Sequence, residues 1–197
     1  KNPPSLSSVN CPLSSKKCFA FFYNYELVIL KLRVDICQIN SVGGIKVEFI
    51  IIVLGLILDR ITKIWALNVL TKTTEIPIIK DFFSFSYLEN RGAAFGILQN
   101  KLIFLSLVTL IITGGVVFYL FKYKPTSKIL RISLALIISG AIGNLIDRIW
   151  YKYVVDFIML HYKDVYYFPT FNVADMLVVI GTMLLVIYMI KEDNDGK

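Results

Sequence analysis

The feature that most constrains this chain is a run of 20 residues, 102–121, without a single charged side chain. About 20 apolar residues are enough for a helix to cross the hydrocarbon core of a bilayer. Inside lipid a helix satisfies its own backbone hydrogen bonds, whereas an isolated extended segment cannot. Together with 56% hydrophobic residues in 197 positions, this run predicts a polytopic membrane protein and argues against a soluble domain.

Three further apolar segments approach the same length. One contains Asp59, Arg60 and Lys63 in its outer half, and the last contains a single charge, Asp175. The sequence therefore predicts an all-α membrane protein with four transmembrane helices, within one domain covering residues 47–197. The predicted spans are about 49–67, 102–121, 130–148 and 171–190.

The distribution of basic residues predicts the orientation of these spans. The connection between the second and third spans contains Lys122, Lys124, Lys128 and Arg131 and no acidic residue. Short loops rich in Lys and Arg remain in the cytoplasm. This loop and both termini are therefore expected to be cytoplasmic, and the two longer connections are expected on the outer face.

The first outer connection has the pattern of a strand. Phe83, Phe85 and Tyr87 alternate with serines, and alternation with a period of two is typical of a half-buried strand. We expect a small outer-face β-sheet, or cradle, followed later by an aromatic outer loop. Aromatic residues in that second loop could equally serve as interfacial anchors.

Residues 1–46 differ from the remainder. They contain the three cysteines and six of the basic residues. Because much of the net charge of +7 lies in this segment, the charge does not indicate nucleic-acid binding. The first methionine is Met159, and residues 43–47 could be encoded by a ribosome-binding sequence followed by a GTG start. Our hypothesis is that the natural protein begins at Val47 and that 1–46 is a non-native or disordered extension. The alternative is a genuine extension or a fusion remnant.

Asp156 and Asp175 are each flanked by apolar residues next to predicted spans. An ionisable residue at membrane depth indicates a functional site, because burying an unpaired ion costs several kcal/mol. Two such carboxyl groups suggest aspartic-protease chemistry, in which the pair shares one proton.

Four polar clusters interrupt the apolar runs, and together they carry a family resemblance. They are 59–63 (DRITK), 90–96 (NRGAAFG), 143–148 (GNLIDR) with 154–157 (VVDF), and 171–175 (FNVAD). In order and spacing, over the whole of 47–197, these clusters closely resemble the lipoprotein signal peptidases (signal peptidase II) of bacteria.

The resemblance implies an intramembrane aspartic endopeptidase with Asp156 and Asp175 as its catalytic dyad. The implied reaction removes the signal peptide from a diacylglyceryl-modified prolipoprotein, just before the lipidated cysteine. It uses no metal or other cofactor. The implied setting is the bacterial cytoplasmic membrane, with the active site near its outer face. The implied partners are prolipoproteins and membrane lipids, for a monomer that globomycin-type inhibitors would bind.

Nine other residues are expected to bind substrate or shape the site. Asn90, Asn172 and Arg148 resemble residues that hold the substrate backbone or the catalytic carboxylates. By spacing alone, Asp59 and Lys63 share a helix face and can pair, while Asp147 and Arg148 could instead form an ion pair that ends a helix. The full set is Asp59, Lys63, Asn90, Gly92, Asn144, Asp147, Arg148, Asn172 and Ala174.

Other membrane functions fit less well. A zinc protease requires a His-Glu-x-x-His motif, and the sequence has one histidine, His161. Ser139 lies beside small residues, which favours helix packing over nucleophilic chemistry. A cation- or proton-coupled carrier remains an alternative, because membrane carboxylates also mark ion paths. A carrier would be expected to place its acids near the bilayer centre on facing repeats, whereas both aspartates here are predicted at one face.

Overall fold

The computed structural model describes residues 45–73, 75–93, 98–163 and 165–195. The predicted N-terminal extension lies outside these residues, apart from 45 and 46, which begin the first helix. The helices are α1 (Ile45–Val69), α2 (Leu102–Tyr123), α3 (Lys128–Trp150) and α4 (Val173–Asp195). The strands are β1 (Ile76–Ile79), β2 (Phe83–Asn90), β3 (Val154–Tyr162) and β4 (Tyr166–Tyr167).

In this described part of the chain, three helices are long and apolar enough to cross a membrane. They are α2, α3 and residues Val173–Asp193 of α4. Helix α1 has 25 residues and is also predominantly apolar, but Asp59, Arg60 and Lys63 interrupt it. Mostly helical architecture with apolar helices of spanning length agrees with the prediction.

Helix α3 is the central helix of the bundle. Half of its apolar window is buried, against 6% for α2 and 11% for α4, and it packs against α1, α2 and α4. Close approach requires small residues on α3: a Cβ atom added at Gly143 would lie 2.7 Å from Asp59 Oδ2 and 3.2 Å from the Ala174 Cβ. The side chain of Ser139 donates to the carbonyl of Ile52 on α1 (3.1 Å), as expected for a packing residue.

The four strands form one antiparallel sheet in the order β1-β2-β3-β4. The predicted strand around Phe83 and Phe85 is confirmed as part of β2. In the pairing of β2 with β3, Leu88 lies opposite Asp156 and Asn90 lies opposite Val154. The sheet therefore connects the two long loops that separate the helices.

Strand β3 lies where the sequence predicts only an aromatic loop. Residues 154–157 at its start are all buried, so this segment has no alternation between apolar and polar residues to reveal it. Its Val155 and Phe157 pack with Ala66 and Leu70 at the end of α1 and in the turn that follows. This cluster fixes the sheet to the bundle and places β3 beside the start of α4.

Candidate active site

Asp156 and Asp175 come from different elements and meet at a single residue, Asn172. Asp156 is a buried residue of β3, and Asp175 lies in the first turn of α4. The side-chain amide of Asn172 donates to Asp156 Oδ1 (2.6 Å), while its backbone N–H donates to Asp175 Oδ2 (3.1 Å). One residue thus holds both carboxyl groups.

The position of Asn172 follows from how α4 begins. Its side-chain oxygen accepts from the backbone N–H of Asp175 (3.0 Å), and the Asp175 carboxylate accepts from the backbone of Asn172. This reciprocal arrangement has the geometry of a capping box, which satisfies free N–H groups at a helix start. The same contacts that begin the helix therefore orient one of the two aspartates.

Two further asparagines complete the environment of the carboxyl groups. Asn90 donates to Asp156 Oδ2 (2.9 Å), and Asn144 donates to Asp175 Oδ1 (2.7 Å). Asn90 is itself fixed by the backbone N–H of Gly92, which donates to its side-chain oxygen (2.9 Å). Each of the four carboxyl oxygens consequently accepts one amide hydrogen bond.

Burial perturbs the titration of Asp156. Removal of this side chain from water raises its pKa, and the nearby charge of Asp175 raises it further, to about 7. The amides of Asn90 and Asn172 act in the opposite direction because they stabilise the ionised form. A pKa near neutrality is suited to a group that exchanges protons during a reaction.

A network of buried charges lies directly beneath the pair. The Lys63 ammonium, which is fully buried, contacts Asp59 Oδ2 (3.0 Å), Asp147 Oδ2 (2.9 Å) and Asn144 Oδ1 (2.9 Å). The predicted pairing of Asp59 with Lys63 is therefore present. Asp59 Oδ1 also accepts from the backbone N–H of Ala174 (3.0 Å), which ties α1 to the start of α4.

Asp147 and Arg148 do not form the helix-ending ion pair that is one of the two predictions from the sequence. Asp147 pairs instead with Arg60 (2.8 Å) and Lys63, and it accepts from the backbone N–H of Val155 (3.2 Å). Arg148 donates to the carbonyl of Gly92 (3.2 Å). Consecutive residues on a helix point about 100° apart, so Asp147 faces α1 while Arg148 faces the loop after β2.

All eleven residues predicted for the site thus belong to one connected set of hydrogen bonds and ion pairs. Residues 94–96 of the second cluster, including Gly96, lie outside the described part of the chain. Arg60 and the backbone of Val155 also belong to the set, although no role was predicted for them. Arg60 belongs to the polar cluster 59–63, but its position in the sequence does not indicate that it pairs with Asp147, 87 residues away.

The arrangement has the chemical requirements of an aspartic protease. Two carboxyl groups that are held by two donors of one residue can carry one proton between them, because ionising both would place two negative charges close together. The ionised group can then take a proton from water while the other donates to a carbonyl oxygen.

Comparison with known proteins identifies relatives of this chain. The protein family described as signal peptidase (SPase) II matches residues 51–191. The chain is 63% identical over 145 residues to a lipoprotein signal peptidase of Clostridium novyi, covering 74% of this chain and 98% of the relative. It is 64% identical over 147 residues to a lipoprotein signal peptidase of Clostridium tetani, covering 75% of this chain and 94% of the relative.

The fold is also similar to that of a solved protein. A structure described as a bacterial membrane enzyme, obtained by the in meso method, superimposes with a TM-score of 0.70 at 32% identity. The match covers 78% of this chain and 93% of the solved chain.

Proposed function

Because this chain belongs to the signal peptidase II family, we propose that Asp156 and Asp175 form the catalytic dyad with which it removes signal peptides from prolipoproteins. The observation that carries this assignment is the pair of contacts from Asn172, which joins both carboxyl groups through one residue. The four amide donors around them supply the fixed geometry that acid–base catalysis needs.

In the proposed reaction, a water molecule between the two carboxyl groups loses a proton to the ionised aspartate as its oxygen attacks the scissile carbonyl carbon. The protonated aspartate donates to the carbonyl oxygen, and a tetrahedral diol intermediate forms. Transfer of a proton to the leaving nitrogen then breaks the C–N bond. Asn90 and Asn144 keep the carboxyl groups oriented throughout.

The position of the dyad supports a lipid-modified substrate, cleaved just before the cysteine that bears the diacylglyceryl group. Next to Asp175, the side chains of Met176, Val179 and Ile180 are 42%, 50% and 45% exposed. Exposed apolar side chains on a helix of spanning length are suited to contact with hydrocarbon. Acyl chains and an apolar signal peptide can therefore approach the dyad from within the bilayer.

We propose that α1 is a fourth transmembrane helix. Three of its charged residues face inward: Glu48, Asp59 and Lys63 are only 4%, 1% and 0% exposed, whereas Phe49 is 63% and Leu54 is 60% exposed. A soluble helix would show the reverse distribution. At about 1.5 Å per residue, 25 residues are also long enough to span a bilayer of about 30 Å.

The basic connection between α2 and α3 supports cytoplasmic termini and a dyad near the outer face, since four spans return the chain to its starting side. The test uses cells that express the chain with Cys11, Cys18 and Cys37 replaced by serine. A cysteine at the exposed Thr126 is expected to resist an impermeant thiol reagent added outside.

A cysteine at Val165, which is 81% exposed in the turn between β3 and β4, is the matched control and should be labelled readily. The reverse pattern of labelling would place the dyad on the cytoplasmic face and contradict the proposed topology.

The activity itself is tested by incubating the purified protein with a diacylglyceryl-modified prolipoprotein and following release of the signal peptide. Cleavage is expected only with the lipid-modified form. Equal cleavage of the unmodified precursor would contradict the proposed substrate, and no cleavage of either would contradict the proposed function.

In the same assay, the rate of cleavage is expected to depend on pH. The raised pKa of Asp156, about 7, means that the pair keeps its shared proton below that pH and loses it as the pH rises. We expect kcat/KM to fall on the alkaline side, with an apparent pKa that belongs to the coupled pair. Activity that remained constant from about pH 6 to about pH 9 would contradict a shared proton.

Two finer expectations rest on the family. From the family resemblance, we propose that the enzyme acts as a monomer. By the same resemblance, we propose that globomycin-type inhibitors occupy the space beside the dyad and block release of the signal peptide.

A further inference from the structure

Arg60 contacts a residue of the site but has no role in the proposed reaction. Its side chain is 27% exposed, and its Nη2 atom donates to Oδ1 of Asp147, which is fully buried, at 2.8 Å. Arg60 lies on α1, and its guanidinium contacts the end of α3. It contributes no hydrogen bond to either catalytic carboxyl group among the contacts of the described residues.

The carboxylate that Arg60 holds is connected to both halves of the dyad. Through Oδ2, Asp147 accepts from the backbone N–H of Val155 (3.2 Å), the residue immediately before Asp156. The same oxygen contacts the Lys63 ammonium (2.9 Å). A rotation of this carboxylate would therefore disturb the start of β3 directly.

The second connection runs to Asp175. Lys63 donates to the side-chain oxygen of Asn144 (2.9 Å), and this contact orients the amide so that its nitrogen donates to Asp175 Oδ1 (2.7 Å). If Lys63 followed a displaced Asp147, the Asn144 oxygen would keep only its longer contact with the side-chain amide of Asn172 (3.2 Å), and its orientation would be less firmly fixed.

The guanidinium is itself held in place. The ring of Tyr151 lies with its centroid 6.0 Å from Arg60 Cζ, within the range of a cation–π contact. The backbone N–H of Tyr151 donates to the carbonyl of Asp147 (2.7 Å) at the end of α3. Arg60 thus occupies Oδ1 and leaves Oδ2 for Lys63 and Val155. Without Arg60, a buried carboxylate oxygen would be left unpaired, which favours a different rotamer.

We infer that Arg60 is a positioning residue for the dyad: it fixes the Asp147 carboxylate, and through it the placement of Asp156 relative to Asp175. This inference rests on the proposed assignment of the dyad. Misplacement of reacting groups by about 1 Å can cost about 10²-fold in rate, whereas substrate binding away from the dyad is unaffected.

The test compares Arg60→Gln, Arg60→Lys and the unmodified full chain in the prolipoprotein cleavage assay, with rates expressed per folded enzyme. For Arg60→Gln we expect kcat to fall by about 10- to 100-fold with KM within about threefold. Arg60→Lys keeps a cation that can reach Asp147 and should recover most of that loss, to within about fivefold of the unmodified rate.

Arg91→Gln is the matched control. Arg91 also pairs with a carboxylate, that of Glu89 (2.9 Å), and also lies 6.0 Å from a tyrosine ring, that of Tyr153. It is more than half exposed and makes no contact with Asp147. We expect its kcat to remain within about twofold, because exposed ion pairs contribute little.

If Arg60→Gln does not accumulate as folded protein, Tyr151→Leu tests the same idea, since it keeps the ion pair but removes the ring that holds the guanidinium. It is expected to lower kcat by about three- to tenfold without raising KM. Unchanged kcat in the folded variants, or a rise in KM alone, would overturn the inference. Asp156→Asn distinguishes the two proposals: an inactive Asp156→Asn with a fully active Arg60→Gln leaves the dyad standing and removes only the role of Arg60.

Discussion

Asp156→Asn and Asp175→Asn are each expected to lower kcat/KM for prolipoprotein cleavage by about 10²–10⁴-fold. Asparagine keeps the shape of the side chain and one acceptor oxygen, but it can neither take a proton from water nor donate one to the peptide. The double variant should be no slower than either single one, because members of a catalytic unit are not additive. The measurement is signal-peptide release by purified protein, together with the amount of folded protein in the membrane.

Glu192→Gln is the control, since it neutralises an exposed carboxylate on the same helix, α4. It should leave the rate unchanged. A positioned acid or base typically contributes at least about 10²-fold to the rate. If either dyad variant kept more than about a tenth of the activity, the loss would therefore be too small and the assignment would be wrong. Asp147 would then be the next carboxylate to examine.

Lys63→Met is expected to produce the largest loss of stability, about 3–5 kcal/mol in the free energy of unfolding. The ammonium is fully buried between Asp59 and Asp147. Methionine fills similar space but leaves two buried carboxylates without their shared cation. Thermal unfolding in detergent, followed by tryptophan fluorescence, measures the effect.

Lys72→Met removes an exposed lysine just after α1 and should leave the unfolding temperature unchanged. In Lys63→Met, Asp147 keeps its ion pair with Arg60 whereas Asp59 loses its cation. Combining Lys63→Met with Asp59→Asn removes the unpaired charge and is expected to restore part of the loss. A destabilisation of Lys63→Met below about 1 kcal/mol would show that water or protonation compensates the network, contrary to the expected cost of an unpaired buried ion.

The apolar helices and the residues of the candidate site could be predicted from the sequence for different reasons. An uninterrupted apolar run such as 102–121 indicates a helix, because the thickness of the bilayer sets the length of a spanning helix. Asp156 and Asp175 stood out because a carboxyl group among apolar residues requires an explanation. Their convergence, however, depends on Asn172, whose capping contacts are visible only in three dimensions.

The sheet was only partly predictable. Strand β2 is predicted because its aromatic residues alternate with serines, whereas β3 is buried on both faces at residues 154–157 and has no such pattern. The partners of Asp147 could not be predicted either. Its neighbour Arg148 is the obvious candidate in sequence, yet helix geometry directs the two side chains apart and brings Arg60 and Lys63 from α1 instead.

The hydrogen bond from the backbone of Ala174 to Asp59 joins residues 115 positions apart. At a synthesis rate of about 5–20 residues per second, the ribosome needs roughly 6 to 23 seconds to make the intervening chain. Throughout that interval α1 is without the partner that closes the site, and Asp175 has not yet been made. With the proposed dyad, biosynthesis therefore has the effect that a removable pro-segment has in a zymogen: peptide hydrolysis requires the last helix, which is made last.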